Sequence, residues 1–349
     1  MPWQSIRGHD RAVEALRRGL ASGRLPHAFL FVGPEGVGKR TFARKVAQAL
    51  LCERVPEAEL APCGACPGCL QVEAGAHPDL IEVGRPEDKH ELPIKVIREL
   101  NHDLGLKPAR GTRKVAIVDD ADTINDEAAN AFLKTLEEPP PGSVLILIGT
   151  STEVQLDTIV SRCRVLRFDP LPEADLAAVL LDKGLAADAD AAGRLAGLGE
   201  GSVARALGLA DPTLETFRRA LIDELAGPRG FDPPGLARRL DAFVKEAGKE
   251  SIEHRQRAGL LLGELARLFR GTLWQTAGLE APSPDPADRR AVAELSGRLE
   301  PEDVFVLADR CLEADIQVRR KANLPMILDA LVHDLGRIIN PHPPEAPRR

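Results

Sequence analysis

The sequence predicts an α/β domain with a parallel sheet covered by helices on both faces, followed by a small helical lid and an all-helical C-terminal domain. Three observations support this fold class. Strand-like and helix-like segments alternate over residues 1–170, a glycine-rich loop follows the first strand, and residues 212–339 show only helical periodicity. Ligands of such α/β domains bind beyond the carboxyl ends of the strands, so the functional site is expected there.

Four short apolar segments of the first domain are predicted to be strands. The run at residues 115–118 is unbroken and mostly β-branched, as is typical of a strand buried on both faces of a parallel sheet. The predicted strands cover residues 27–32, 77–83, 115–118 and 144–148. Segments with apolar residues at helical spacing alternate with them, at residues 11–20, 41–51, 93–104 and 125–138.

After residue 170 the pattern becomes purely helical. Short helices are expected at residues 173–180 and 189–198, and Ser202 is suited to cap another that runs to residue 207, within a lid at residues 171–210. A larger helical domain is expected at residues 211–340, with a frayed proline-rich tail at 341–349. Its predicted breaks lie near Gly227, Pro233-Pro234, Ala281-Pro282 and Pro301.

The composition and net charge of the chain argue against some classes of function. The chain has 349 residues, of which 44% are apolar and 28% charged, and its formal net charge is −7. Non-specific DNA affinity comes from neutralising phosphates, so this charge argues against a protein that coats DNA by itself. A local basic patch, or DNA contact shared with partner subunits, stays open. No apolar run approaches the roughly 18 residues of a membrane span, and the first residues lack a signal-peptide layout, so we expect a cytoplasmic protein.

Residues 33–41, GPEGVGKRT, match the phosphate-binding pattern G-x-x-x-x-G-K-[S/T] except at one position. In the full pattern, backbone N–H groups cradle phosphates, the Lys reaches the β and γ oxygens, and the last hydroxyl binds Mg²⁺. Arg40 stands in the hydroxyl position, and Thr41 cannot simply replace it because one helical step turns a side chain by about 100°. The candidate nucleotide-binding residues of the loop are Gly33, Gly36, Gly38, Lys39, Arg40 and Thr41.

Acidic residues follow the third predicted strand. Asp119 is suited to be the metal-side acid, and Asp120 takes the position of a water-orienting carboxylate, which is more usually a Glu. A solvated turn or a helix N-cap is the alternative explanation of this acidic cluster, which also includes Asp122. Because both Arg40 and Asp120 depart from a hydrolytic site, we expect weak or no ATP hydrolysis. Mg²⁺ binding is doubtful and ATP binding is left open.

Four cysteines, Cys52, Cys63, Cys66 and Cys69, have a spacing suited to a four-thiolate Zn²⁺ site, because C-x2-C lets neighbouring sulfurs reach one tetrahedral ion. Two disulfides or four idle thiols are the alternatives, but disulfides fit poorly with a chain that carries no export signal. Four thiolates fill the tetrahedron, so the metal is expected to be structural. Cys163 and Cys311 stand alone and are expected to be small buried apolar residues.

Two strings, NAFLKTLEEPP at residues 130–140 and SRC at residues 161–163, resemble the bacterial DNA polymerase III clamp-loader subunits, which are AAA+ proteins. The resemblance covers nearly the whole chain. It implies that the last domain is a collar that assembles subunits. Further matches are Trp3 with Gly8, residues 27–39, the four-cysteine module, HPD at residues 77–79, and NLPMILD at residues 323–329, which resembles the final collar helix.

The resemblance implies roles for three polar residues. Arg162 resembles the arginine finger that reaches the ATP of a neighbouring subunit, although an isolated Arg between Ser and Cys is otherwise most often a surface cation. Thr150 resembles the polar sensor that follows the fourth strand. Arg205 lies roughly where a second sensor cation lies, or else it is an ordinary exposed helix residue.

The family contains ATP-hydrolysing tau/gamma motors and a non-motor subunit class, delta prime. Arg40 and Asp120 depart from the motors, and the chain has no long extension such as tau carries, so the delta prime class is the better match. This match implies a scaffold that works with delta and tau/gamma subunits in a hetero-oligomer to load a sliding clamp on primer–template DNA. An active tau/gamma-like motor is the runner-up. A zinc-containing P-loop kinase is a distant alternative without any acceptor-binding motif.

Overall fold

The computed structural model describes residues 3, 6–21, 25–86, 89, 91–249, 251–280, 286–320 and 322–340. The chain divides into two compact units, Met1–Leu207 and Gly208–Arg349. The division expected from the sequence, with boundaries after residues 170 and 210, stays a prediction.

The first unit is built on a five-stranded parallel sheet, one strand more than the sequence predicts. The strand order is β2-β3-β4-β1-β5, and all neighbouring strands are parallel. β1, β3 and β4 are buried along their whole length, as their unbroken apolar runs predict. The strands are β1 (Ala28–Val32), β2 (Leu80–Val83), β3 (Lys114–Val118), β4 (Ser143–Gly149) and β5 (Arg164–Arg167).

The additional strand, β5, lies at the edge of the sheet beside β1. Its sequence is RVLR, and only Leu166 is fully buried while both arginines are exposed. A four-residue edge strand with charged ends gives a weak apolar signal, and its pairing with β1 depends on the rest of the sheet. Local sequence therefore did not predict it.

Helices cover both faces of the sheet, which confirms the predicted layering. Alternate residues of β1 point to opposite faces, so Phe29 joins a core with α1 and α2, whereas Leu30 joins a second core with α4 and α5. Two short 3₁₀ turns, Glu57–Glu59 and Ala121–Thr123, complete this part. The helices are α1 (Asp10–Ala21), α2 (Lys39–Leu50), α3 (Pro67–Glu73), α4 (Ile94–Gly105), α5 (Asp126–Glu137) and α6 (Asp157–Val160).

Three further helices of the lid segment are α7 (Glu173–Asp182), α8 (Ala189–Gly199) and α9 (Val203–Leu209). α7 and α8 enclose a small apolar core of their own, which includes Leu176, Leu180 and Ala196. The hydroxyl of Ser202 accepts a hydrogen bond from the N–H of Arg205 (3.1 Å), so the predicted cap of α9 is confirmed.

The described part of the second unit is helical throughout, as predicted. Pro233 and Pro301 begin helices because the fixed φ of proline suits a first turn, where no N–H donor is needed. The predicted break at Ala281-Pro282 and the predicted tail lie outside the described residues. The helices are α10 (Pro212–Ala226), α11 (Pro233–Lys245), α12 (Ser251–Thr276), α13 (Pro286–Ser296), α14 (Pro301–Arg319) and α15 (Leu324–Ile339). None of the helices described is long and apolar enough to cross a membrane.

A buried ion network links α10, α12 and α13. The Nε of Arg218 donates to Glu264 Oε2 at 2.6 Å, and its guanidinium also pairs with Asp288. Arg267 Nη2 lies 2.5 Å from Glu264 Oε2 and 3.0 Å from Asp288 Oδ2. Arg218 Nη1 also lies 3.7 Å from Glu215 Oε2, so two arginines and three carboxylates form ion pairs that join the three helices.

Candidate nucleotide-binding and metal sites

The loop between β1 and α2 has the backbone that its glycines predict. Gly33, Gly36 and Gly38 have φ values of 154°, 75° and 100°, in the region that side chains rarely adopt. A Cβ at Gly33 would overlap the carbonyl oxygen of Phe168, and one at Gly36 would overlap Ser202. The loop therefore packs so closely against its surroundings that glycine is required at both places.

Neighbouring residues hold the loop from two sides. From the lid segment, the N–H of Val203 donates to Gly36 O at 3.0 Å, and the hydroxyl of Ser202 donates to Glu35 O at 2.8 Å. From the other side, the ring N–H of buried His9 donates to Val37 O at 2.7 Å. Sequence reasoning missed His9, because its partner is distant in the chain and no motif marks the contact.

Lys39 is the first residue of α2 and is only 7% exposed. Its Nζ donates to the carbonyl oxygens of Gly33 (2.5 Å) and Pro34 (2.7 Å), so the ammonium group lies within the loop. Its predicted contact with phosphate stays a prediction. Burial lowers the pKa of Lys39 below its usual range, and nearby carboxylates oppose that shift.

Arg40 turns toward the acidic ends of β2 and β3. Its guanidinium lies 3.4 Å from Asp119 Oδ2 and 3.7 Å from Glu82 Oε2. Arg44, one turn further along α2, binds Glu82 through two hydrogen bonds of 2.6 and 2.5 Å. A chain cation therefore lies directly beside the predicted metal-side acid. Thr41 is exposed in the same turn.

Asp120 adopts the left-handed backbone conformation, with φ of 52°. Its carboxylate lies 3.7 Å from Arg85 Nη2, within a local excess of negative charge. Burial, followed by repulsion from Asp119, raises the pKa of Asp120. The two acids predicted to serve hydrolysis thus lie together at the end of β3, each beside an arginine.

Asp122 has a role that the sequence did not reveal. Its Oδ2 accepts hydrogen bonds from the backbone N–H (2.6 Å) and the hydroxyl (2.7 Å) of Thr150, the predicted sensor. Thr150 O in turn accepts from the N–H of Gly33 at 2.9 Å. A chain of hydrogen bonds therefore connects the acidic cluster to the start of the loop. The presence of a third Asp in the cluster was the only sequence signal for this link.

Arg205 bonds within the lid segment. Its Nε donates to Leu198 O at 3.2 Å, and its guanidinium lies 3.7 Å from Glu200 Oε2. The neighbouring residues Ser202 and Val203 contact the loop instead. A sensor role for Arg205 stays a prediction.

Arg162 follows α6 and is 31% exposed. Its Nε and Nη2 both bind Glu137 Oε1, at 2.7 and 2.5 Å, and its Nη1 donates to Thr158 O at 2.9 Å. The two strings that carry the family resemblance thus meet in space through this ion pair.

The four predicted metal ligands come together. The sulfur atoms of Cys52, Cys63, Cys66 and Cys69 lie within 4.8 Å of one another, and this cluster could hold a metal ion. Backbone N–H groups three residues further on donate to three of these sulfurs: Val55 to Cys52 (3.4 Å), Cys66 to Cys63 (3.3 Å) and Cys69 to Cys66 (3.4 Å). Burial opposes ionisation of Cys52, but such hydrogen bonds lower its pKa to about 6 overall. The donor set therefore suits a thiolate-bound metal.

The cysteine module is attached to the sheet domain on two sides. Gln48 of α2 donates to Cys69 O at 3.0 Å. Arg113, just before β3, forms two hydrogen bonds with Glu57 (2.8 and 2.7 Å). Asp79, from the HPD string, accepts from the N–H groups of Ala109 and Arg110, both at 2.7 Å, and so fixes the loop before β3.

A parallel sheet of this order, a phosphate-binding loop after its interior strand β1 and helices packed on that loop define an AAA+ P-loop protein. A family model described as "DNA polymerase III, delta subunit" matches residues 8–172. The gamma subunit of Buchnera aphidicola subsp. Acyrthosiphon pisum is 30% identical over 284 residues, which cover 80% of this chain and 75% of the relative. The chain belongs to the DNA polymerase III tau/gamma and delta prime family.

Relatives from both branches of the family match. The tau subunit of Escherichia coli is 35% identical over 314 residues, which cover 85% of this chain and 48% of tau. The delta prime subunit of Pseudomonas aeruginosa is 43% identical over 150 residues, which cover 42% of this chain and 44% of that relative. The chain thus spans about half the length of the tau subunits that it matches.

Proposed function

We propose that this chain is the delta prime-type subunit of a DNA polymerase III clamp loader and that it acts as a scaffold with weak or no ATP hydrolysis of its own. The observation that carries the proposal is the ion pair between Arg40 and Asp119 (3.4 Å). A motor subunit needs a hydroxyl at position 40 and an available carboxylate to hold Mg²⁺ beside the phosphates. Arg40 stands in place of the hydroxyl, and its guanidinium neutralises the carboxylate of Asp119.

In this proposal Arg162 serves the nucleotide site of a neighbouring subunit. A guanidinium stabilises charge on a transferring phosphoryl group with planar, bidentate hydrogen bonds, and a finger supplied from outside couples hydrolysis to assembly. Two features support the role: the side chain is partly exposed, and its partner Glu137 is half-exposed. Because an exposed ion pair is weak, Glu137 can release the guanidinium to a phosphate at little cost.

The partners follow from the family and from an apolar stripe on α14. Phe305, Leu312 and Ile316 are 62%, 54% and 49% exposed, and their spacing places them on one side of the helix. Such a stripe is typical of an interaction surface. We assign it to a collar shared with delta and tau/gamma subunits. The sliding clamp and primer–template DNA are then reached through the assembly.

We assign a structural Zn²⁺ to the four-cysteine module. Four thiolates satisfy a tetrahedral ion and leave no position for a substrate. Metal analysis of the purified chain should give about one zinc per molecule, as a single such site requires. Zinc in the Cys66→Ser variant should fall well below that value, and unchanged zinc in this variant would show that the metal is held elsewhere.

The scaffold proposal is tested with Arg162→Ala in a loader reconstituted with its partner subunits. We expect ATP hydrolysis by the motor subunits to fall by about 10³-fold or more, the usual contribution of such a finger. The matched control is Arg164→Ala, an exposed arginine two residues away on β5, which should leave the rate unchanged. Undiminished hydrolysis with Arg162→Ala in a fully assembled loader would refute the finger assignment.

An active motor is the second candidate, and the similarity to tau over 85% of this chain favours it. It predicts hydrolysis by this chain, alone or with partners, that disappears with Lys39→Ala. No turnover under either condition would eliminate the motor. Membership of the DNA polymerase III family argues against the P-loop kinase alternative.

A further inference from the structure

The loop and the acidic cluster of the first unit do not fit Mg²⁺. Mg²⁺ requires near-octahedral oxygen ligands and is usually held by one or two carboxylates together with phosphates and water. Each carboxylate at this edge of the sheet already has a partner in the chain. Asp119 lies beside Arg40 (3.4 Å), Asp120 beside Arg85 (3.7 Å), and Asp122 accepts both the N–H and the hydroxyl of Thr150.

The loop position that normally supplies a hydroxyl carries a cation instead. The guanidinium of Arg40 and a divalent ion on Asp119 would repel each other over a few ångströms, where screening by water is incomplete. Binding Mg²⁺ at Asp119 would therefore require the ion pair to break first.

The half of the site that binds phosphate is intact. Three glycines with positive φ shape the loop, helix α2 of twelve residues begins at its end, and Lys39 lies inside it. Exposed backbone N–H groups at a helix N-terminus and a lysine ammonium favour a polyphosphate. His9, Ser202 and Val203 each donate a hydrogen bond to a different carbonyl group of the loop, at Val37, Glu35 and Gly36, so contacts within the chain hold this geometry.

Arg40 is also placed to supply the missing positive charge. It is the second residue of α2, adjacent in sequence to Lys39, and its side chain is 55% exposed. A guanidinium has five N–H donors, so contacts with Asp119 and Glu82 leave capacity for phosphate oxygens. The two carboxylates orient the group without occupying all of it.

We propose that this loop binds a nucleoside diphosphate or triphosphate without a divalent metal, with Arg40 as the fixed counter-charge in place of Mg²⁺. The inference rests on the proposed function, since it makes the site a nucleotide-binding element of a subunit that does not hydrolyse ATP.

The test is calorimetric titration of the purified chain with ADP, and separately with ATP, in excess Mg²⁺ or in excess EDTA. We expect dissociation constants in the two buffers to agree within about threefold. In Arg40→Thr, which restores the hydroxyl and frees Asp119, affinity in EDTA should fall by about tenfold or more, the effect of losing a charge-assisted hydrogen bond, and Mg²⁺ should recover it. Lys39→Ala should lose binding in both buffers.

The matched control is Arg17→Thr, which makes the same charge change at an exposed position of α1 and should leave both affinities unchanged. Arg40→Gln removes the charge with a smaller change in side-chain length. This variant replaces Arg40→Thr in the titration if Arg40→Thr does not fold. Absence of binding in both buffers, or binding to the wild-type chain at least about tenfold tighter with Mg²⁺, would overturn the inference. The scaffold proposal would survive either result, because its test is the effect of Arg162 on the hydrolysis of other subunits.

Discussion

Individual side chains at the carboxyl edge of the sheet decide what the loop can do. Arg40 brings a cation to Asp119, and Arg85 brings another to Asp120, so the charges that a hydrolytic site reserves for metal are balanced within the chain. Asp122 acts differently, because it holds Thr150 in place through two hydrogen bonds. The three carboxylates at this edge therefore all have partners within the chain.

Asp122 gives a prediction with a defined pH dependence. Burial raises its pKa, so the folded protein holds this proton more tightly than the unfolded chain does. The resulting stabilisation is fully present below about pH 3.9 and is lost as the pH rises through the raised pKa. Asp122→Asn keeps an oxygen acceptor for Thr150 but has no such titration. Its stability relative to the wild type should therefore rise as the pH increases from about 4 through the raised pKa of Asp122.

Asp122→Ala is the matched comparison, because it also removes the acceptor. It should lose about 1–3 kcal/mol at pH 7, since the Thr150 N–H is left without its partner. Urea unfolding of the three proteins across the pH range measures both effects. Parallel pH profiles for the wild type and Asp122→Asn would contradict the prediction.

Among these residues, the phosphate-binding motif identified Lys39 as the lysine of the loop and Arg40 as the residue that replaces the usual hydroxyl. It could do so because a loop and the first turn of its helix are adjacent in sequence. It did not predict His9 or the partner of Asp122. His9 and Asp122 each form a hydrogen bond with a residue 28 positions away. The contact of His9 forms only when α1 has packed, and the contact of Asp122 only when β4 has packed. Such contacts depend on tertiary structure, and a single sequence carries no pattern for them.

At the level of helices, the second unit depends on charges buried among α10, α12 and α13. Arg218 and Arg267 share Glu264 and Asp288, and Arg218 also lies 3.7 Å from Glu215. Replacing a buried ion network with apolar side chains is often neutral, whereas removing one member leaves another charge uncompensated. Helical periodicity predicted these helices but not the polar contacts that join them.

Removal of one carboxylate should therefore be costly. Glu264→Ala removes the carboxylate that both arginines contact most closely and leaves them with Asp288 and the more distant Glu215. We expect a loss of about 3–5 kcal/mol in the free energy of unfolding. The control Glu294→Ala removes an exposed carboxylate on α13 and should change stability by less than about 0.5 kcal/mol. Urea unfolding followed by circular dichroism measures both. Similar losses in the two variants would show that the network does not specify the packing.

The cysteine module contains little regular structure beyond α3 and one 3₁₀ turn, so a metal would supply much of its stability. In the zinc-free protein, amide hydrogen exchange should become faster over residues 52–69, while β3 and β4 stay protected. Cys163→Ser, outside the cluster, should retain its zinc and its exchange pattern. Unchanged exchange over residues 52–69 after zinc removal would contradict a structural role for the metal.

For the whole molecule, the proposed function places nucleotide chemistry in the first unit and assembly in the second. The apolar stripe of α14 is a candidate contact surface of the second unit, because large apolar side chains grouped on one helix face are typical of an interaction site. Assembly should therefore depend on α14 independently of the loop.

Phe305→Glu combined with Leu312→Glu should weaken incorporation into the loader by about tenfold or more, because each buried apolar side chain contributes about 1.5–3 kcal/mol. Both positions are exposed, so the chain should still fold. Gln317→Glu adds charge to the same helix away from the stripe and should leave assembly intact. Size-exclusion chromatography with the partner subunits measures the effect, and full assembly of the double variant would refute the assignment.

The sequence by itself determined the α/β layering, the phosphate-binding loop, the cysteine cluster and the helical second unit. These features follow from short-range patterns: apolar periodicity, glycine placement and ligand spacing. Tertiary structure alone decided that β5 completes the sheet, that Arg40 neutralises Asp119, that Asp122 holds Thr150 and that Glu137 holds Arg162. The reason is physical, since each of these contacts joins groups that are far apart in the chain or on different elements and that meet only when the sheet and its helices have packed.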